Sequence, residues 1–269
     1  IIKNNKLGKH KKALLSLIKK SVGFSQTTEE DYTELGNHRF GGKPDLPDAV
    51  LYPTFFDKKG NNLHYEFIAQ INCEQIAPLQ EYLPSKGCLF FFLKSFHFLG
   101  EGDDIARVIY VEDNSLLISA TRFNLKSSDF FELESGQYDA FKAEANTVVS
   151  FPSLYAIETN SYLLEGKAKS LQNEEDHLED LYDRFEKPVE QLHLFDHASN
   201  VYGFTQHESP ELQAALTYKG NPQDWIVLLE VKSRGSFMWS DAGDLFFVIH
   251  KSDLAKKDFS RIFVTMESS

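Results

Sequence analysis

Cysteine, methionine and tryptophan occur only twice each in 269 residues. Two cysteines cannot build a disulfide framework, and Cys73 and Cys88 lie in or beside apolar strands, so they read as reduced core thiols of a reducing cytosol. No apolar run approaches the length of a membrane-spanning helix. The one stretch that follows a basic start, Ala13-Leu14-Leu15-Ser16-Leu17-Ile18, is stopped by Lys19-Lys20, too early for a secretory signal. The chain therefore reads as cytoplasmic, with no transmembrane segment. Positive charge is also scarce: 28 Lys and Arg face 40 Asp and Glu, a formal net charge of -12. Seven of the lysines fall within residues 1–20, which hold no acid, so the remaining body is still more acidic. Phosphate binding needs concentrated Lys and Arg, and this balance argues against nucleic acid.

What the chain has in quantity is aromatic surface, 23 Phe and 11 Tyr. Broad rings pack well on pleated sheets, so the composition is β-rich. The aromatic strands also come in two matching sets. Phe67-Ile68-Ala69-Gln70-Ile71, then Gly87-Cys88-Leu89-Phe90-Phe91, then a strand led by Arg107 are echoed by Val227-Leu228-Leu229-Glu230-Val231, Gly243-Asp244-Leu245-Phe246-Phe247 and a strand led by Arg261. The expectation is a single α+β domain over 1–269. Its antiparallel core would contain an internal duplication, with repeat units at about 65–112 and 225–267, and the site would lie at their seam.

Around those units the pattern predicts a basic amphipathic helix over 9–22 within an N-terminal helical segment spanning 1–35. Its surface reading is a membrane or anionic partner, and its simpler reading is docking on the acidic body. Thr27-Thr28-Glu29-Glu30 resembles the capping box of a second short helix. Strands are expected at about 65–71, 88–93, 106–112, 115–121 and 147–151, with a hairpin turn at Asp113-Asn114. Peripheral helices are expected from Ser135 to Glu144, from Glu174 to Lys187 and over 210–216.

Signatures of chemistry fail one by one. Gly36-Asn37-His38-Arg39-Phe40-Gly41-Gly42-Lys43-Pro44 misplaces the lysine of a phosphate loop, and Pro44 stands where a hydroxyl would bind magnesium. Neither Gly-x-Ser-x-Gly nor a dinucleotide glycine motif is present. The expected cofactor set is therefore empty. His193 and His197 are the best metal pair, at the i, i+4 spacing that lets two imidazoles on a helix face one ion. They lack a third ligand, so no metal site is assigned. Asp241, two residues before Gly243, reads first as a turn cap and second as a carboxylate at a pocket mouth, with Trp239 as its aromatic wall.

Arg39-Phe40-Gly41-Gly42-Lys43-Pro44-Asp45-Leu46-Pro47, Leu51-Tyr52-Pro53, Phe67-Ile68-Ala69-Gln70-Ile71, Leu83-Pro84 with Gly87-x-Leu89-x-Phe91-Phe92, and Trp239-x-Asp241-x-Gly243-x-Leu245 together resemble the bacterial YwqG-like family, DUF1963. Tyr52 stands where that family usually carries Trp. The resemblance implies an antiparallel α+β fold with an internal duplication and implies no reaction. Some members resemble components of bacterial toxin-immunity neighbourhoods, which implies a partner-binding role.

Three functions follow as expectations. The first is a non-enzymatic interaction protein whose acidic surface meets a cationic protein partner. The second is a small-molecule ligand module with a pocket between the repeats, lined by Arg39, Gln70, Trp239 and Asp241. The third is a hydrolase-like enzyme with Asp241 or a histidine as general base.

Overall fold

The computed structural model describes residues 7–17, 19–94, 104–123, 125, 138–150, 194–197, 210–241 and 243–267. Twelve strands are described: β1 (Lys19–Glu29), β2 (Arg39–Phe40), β3 (Thr54–Phe56), β4 (Asn62–His64), β5 (Glu66–Asn72), β6 (Cys88–Leu93), β7 (Ala106–Val111), β8 (Phe141–Ser150), β9 (Leu194–His197), β10 (Trp225–Lys232), β11 (Asp244–His250) and β12 (Ile262–Glu267). The described α-helices are short: α1 (Lys11–Leu17), α2 (Cys73–Ile76), α3 (Pro210–Tyr218) and α4 (Lys251–Ala255). A seven-stranded sheet runs β7-β6-β5-β2-β8-β1-β9, a second runs β10-β11-β12, and β3 pairs with β4 in a hairpin. All named pairings are antiparallel. The fold class is α+β, as the resemblance implies.

The core lies between the two larger sheets because β6 and β11 are apolar on both faces. Leu89, Phe91 and Leu93 alternate inward from β6, and Leu245, Phe247 and Ile249 from β11, into one shared cluster. Phe91 meets Phe247 edge to face at 5.3 Å, the geometry that sets the positive rim of one ring against the negative face of the other. The intervening residues point outward into separate clusters. Cys88, Phe90 and Phe92 pack under Leu46, Phe55 and Tyr65, while Phe246 and Val248 pack under Ala214 and Ala215 of α3. A period of two with both sides covered explains why these strands read as continuous apolar runs.

The units β5–β7 and β10–β12 have the same strand order. Phe91 opposes Val108 as Phe247 opposes Val264, and Gln70 opposes Phe90 as Glu230 opposes Phe246. A register shift interrupts both pairs at the same step, between Phe67 and Ala69 and between Val227 and Leu229. Arg107 falls opposite Phe92, whereas Arg261 precedes β12. The two arginines are therefore not equivalent, and the alignment of the third strands shifts by two residues from the one the sequence suggests.

Several expected elements come out differently. The predicted helix over 9–22 stops at Leu17, and Lys19–Glu29 is a strand paired along β8. Val22 and Phe24 are buried there, and sheet pairing overrides the helical spacing of the leucines before them. Thr27-Thr28-Glu29 lies in that strand and caps no helix. Phe141–Ser150 is strand where a helix was expected to reach Glu144. Its alanines favour helix locally, but Phe141 and Ala143 alternate inward beside outward Lys142 and Glu144, and tertiary burial decides. Residues 115–121 form two 3-10 turns, Asn114–Leu116 and Ala120–Arg122, with Asp113 accepting from Ser115 N–H at the first. The helix expected over 174–187 lies outside the described residues.

Candidate functional site

Arg39 and Gln70 face each other across the β2–β5 pairing. Both are 0% exposed. A buried guanidinium is tolerable only if its charge and donors are matched, and here they are. Arg39 Nε donates to Glu30 at 2.7 Å, one terminal nitrogen lies 3.0 Å from Asp45 Oδ1 and donates to the Lys43 carbonyl at 2.8 Å, and the other donates to Asn37 at 3.2 Å. The cation also sits 4.7 Å from the centre of the Tyr32 ring. Burial opposes the charge, but Asp45 and Glu30 outweigh it and hold the Arg39 pKa above its ordinary value.

Gln70 completes the cluster. Its Nε2 donates to Asp45 Oδ2 at 2.8 Å and to the Asn37 carbonyl at 3.1 Å, and its Oε1 accepts from Asp45 N–H at 2.9 Å. Asp45 then reaches outward, accepting from Gly36 N–H and Ala120 N–H at 3.0 and 3.1 Å. The Gly41-Gly42 turn permits this closure. Both residues have positive φ, and a Cβ would lie 2.2 Å from the Asp139 carbonyl oxygen or 2.3 Å from the Tyr32 hydroxyl. Only glycine fits there. Lys43 Nζ donates to the Phe123 carbonyl at 2.7 Å, so this lysine is a latch between loops.

His38, beside Arg39, is 3% exposed. Its Nδ1 accepts Asn72 N–H at 3.1 Å, which makes the ring a neutral tautomer with its proton on Nε2. That nitrogen is buried without a hydrogen-bond partner among the described residues. Burial lowers the His38 pKa to about 4.

Trp239 belongs to a different cluster. It is 0% exposed and packs against Phe237 at 5.7 Å and Tyr138 at 5.6 Å, and Tyr138 stacks on Phe237 at 4.3 Å. The Tyr138 hydroxyl donates to Glu66 of β5 at 2.8 Å, so this aromatic stack is the physical seam between the first sheet and the segment leading into β11. Burial, then the Glu66 charge, pushes the Tyr138 pKa well up. Asp241 is exposed. The turn around it is closed by Ser233, whose Oγ accepts Trp239 N–H at 2.8 Å and donates to the Gly243 carbonyl at 2.7 Å, with Gly243 N–H bonded to the Trp239 carbonyl.

The four residues singled out by sequence thus separate by setting: Arg39 and Gln70 in a buried polar nest, Trp239 in the aromatic seam, Asp241 at the surface. His193 lies outside the described residues, and Leu194–His197 is a strand, not the helix that the paired-histidine geometry needs. Among the described residues no group of three His, Cys, Asp or Glu is placed to hold a metal ion, and no helix is long and apolar enough to cross a membrane. The cysteines are free and buried. Burial, with Glu74 adding to it, pushes the Cys73 thiol up to about 12, which suppresses the thiolate.

Sequence reasoning missed Glu30, Asn37 and Asp45 as partners of Arg39, and Glu66 and Glu230 as buried acids. Glu230 carried a signal, a carboxylate inside Val227-Leu228-Leu229-Glu230-Val231 as conspicuous as Gln70 inside its own strand. It is 0% exposed, with Lys232 Nζ at 3.8 Å. Among curated proteins none matches the sequence. The ordered motifs that carry Arg39, Gln70 and Trp239 fall inside residues 38–267, the span matched by the model of the Domain of unknown function DUF1963, with Glu30, Tyr32 and Asn37 of the nest just before it, and the chain belongs to that family.

Proposed function

We propose that this is a bacterial cytoplasmic protein of the non-enzymatic, partner-binding kind, whose acidic surface receives a cationic protein, an arrangement suited to a toxin-immunity pair. The observation that carries this reading is the closure of the Arg39 nest. Every charged group in it is matched internally, at full burial, so the most distinctive polar residues build the scaffold and offer no group to a substrate. The chain as a whole carries an excess of negative charge, 40 acidic against 28 basic residues, which steers a cationic partner and makes the association salt-sensitive. The matched order, register and bulge of the two three-stranded units support a further part of the proposal, that they descend from one duplicated unit.

A small ligand at the seam is the second reading. Trp239 Nε1 is a buried donor without a partner among the described residues, and an acceptor on a ligand would satisfy it. The test is affinity capture from host lysate with elution by a salt gradient. The expected result is a strongly basic protein released as salt rises. Recovery of only neutral or acidic proteins, or binding indifferent to salt, contradicts the proposal.

A further inference from the structure

Half of the exposed large apolar side chains among the described residues sit on loops that Asp45 and its neighbours tie together. Eight such side chains are exposed, and four of them are Leu35 (52%), Leu51 (87%), Leu116 (56%) and Ile118 (39%). Asp45 Oδ2 holds Gly36 N–H, next to Leu35, and Oδ1 holds Ala120 N–H, two residues beyond Ile118. Arg122 clamps the same loop to Leu51's own loop, donating to the Leu46 and Pro47 carbonyls and pairing with Asp48 at 2.8 Å. Leu117, between two of the exposed residues, turns inward into the cluster against which Val50 also packs. Three loops, at 31–36, 45–52 and 113–123, are thus held as one platform by bonds to buried groups. Its apolar side chains are fixed in place by a rigid support and left in water.

The charge on this platform has one sign to spare. Arg122 is its one cation, already engaged with Asp48 and two carbonyls. Asp31 is paired with Lys142. Glu34 and Asp113 are exposed and form no ion pair among the described residues. Glu34 shares the charge of Lys142 with Asp31, and Asp113 shares that of Lys86 with Glu112, so acids outnumber cations around these exposed apolar side chains, which suits a segment that carries apolar side chains on one face and lysines or arginines on the other.

We infer that the platform around Asp45 is the docking surface for a cationic amphipathic segment of a partner protein, an inference that rests on the partner-binding reading and adds to it a location and a partner chemistry. The nest then has a role in binding as well as in folding. Through Asp45 it holds the loops in position, so that association does not have to order them at an entropic cost.

The test uses two synthetic 18-residue peptides, one of leucine and lysine patterned as an amphipathic helix and one of lysine and glycine with the same charge. Binding to the full chain is followed by fluorescence anisotropy at fixed ionic strength. Two variants are compared, L51S/L116S on the platform and L216S/M238S away from it, each checked for unchanged melting. The expected result is that the platform variant binds the leucine-lysine peptide at least tenfold more weakly while the other variant stays within twofold of the parent. If both variants bind it as the parent does, the location is wrong and the partner-binding reading stands. If the parent binds neither peptide, the cationic-partner reading fails and takes this inference with it. If the parent sediments as a dimer and L51S/L116S as a monomer, a second copy covers the platform, and the cationic occupant is overturned.

Discussion

The units β5–β7 and β10–β12 share a backbone plan and differ in what stands opposite the first phenylalanine of their central strands. Gln70 faces Phe90, and Glu230 faces Phe246. Gln70 is neutral and both donates and accepts, so it can satisfy the Asp45 carboxylate, the Asp45 N–H and the Asn37 carbonyl together. A carboxylate only accepts. Where the first unit uses this position to bring in β2 and the Arg39 nest, the second carries a buried acid with a lysine 3.8 Å away. Equal register therefore does not mean equal chemistry, because the count of donors and acceptors at one side chain decides what can dock beside it.

The largest effect should come from breaking the nest at its charge. Arg39→Ala leaves Glu30 and Asp45 buried without their cation, and breaking a buried pair in this way costs about 3–5 kcal/mol. Urea unfolding should show that loss. A loss below about 1 kcal/mol would mean that the nest does not hold the first unit together.

Acid should act on the same unit through His38. Its folded pKa, about 4, lies below the unfolded value of about 6.5, so the unfolded chain binds more protons between them. The stability is fully present above about pH 6.5, declines as pH falls, and is gone below about 4, a loss of roughly 3 kcal/mol. Protonation would also set a ring N–H against Asn72 N–H, the bond that ties His38 to the end of β5. Unfolding midpoints between pH 7 and 4 should flatten in His38→Gln; a profile identical to the parent's would assign the acid sensitivity to other groups.

Asp241 marks the small end of the scale. Because it is exposed and Ser233 closes the turn, Asp241→Ala should cost less than about 1 kcal/mol. A Tm drop of more than a few degrees would favour the capping role that the sequence suggests.

The sheets were legible because Cys88–Leu93 and Asp244–His250 are apolar on both faces, a pattern that leaves few alternatives to a central strand. β1 and the first half of β8 were not, since Lys19-Lys20 continues a helical lysine pattern and Ala143, Glu144 and Ala145 are helix formers locally; the end of β8 overlaps the strand expected at 147–151. Only their mutual pairing, more than a hundred residues apart, makes them strands. The same distance hid the nest. Arg39 and Gln70 stood out through the family-like motifs that carry them, but that Glu30, Asn37 and Asp45 would complete them follows from the Gly41-Gly42 turn folding back, which no local pattern spells out.

The exchange of the two register-matched side chains tests most directly whether one position does two jobs. Gln70→Glu places a second carboxylate where Gln70 Nε2 now donates to Asp45 and removes the bond to the Asn37 carbonyl, at a cost of about 2–4 kcal/mol for a buried unmatched charge. Glu230→Gln keeps shape and removes a buried charge, and should cost about 1 kcal/mol or less. Urea unfolding of the two variants side by side should show the first well below the second. Equal losses, or a larger loss for Glu230→Gln, would contradict the claim that the first unit alone uses this position as a neutral anchor for a closed polar nest.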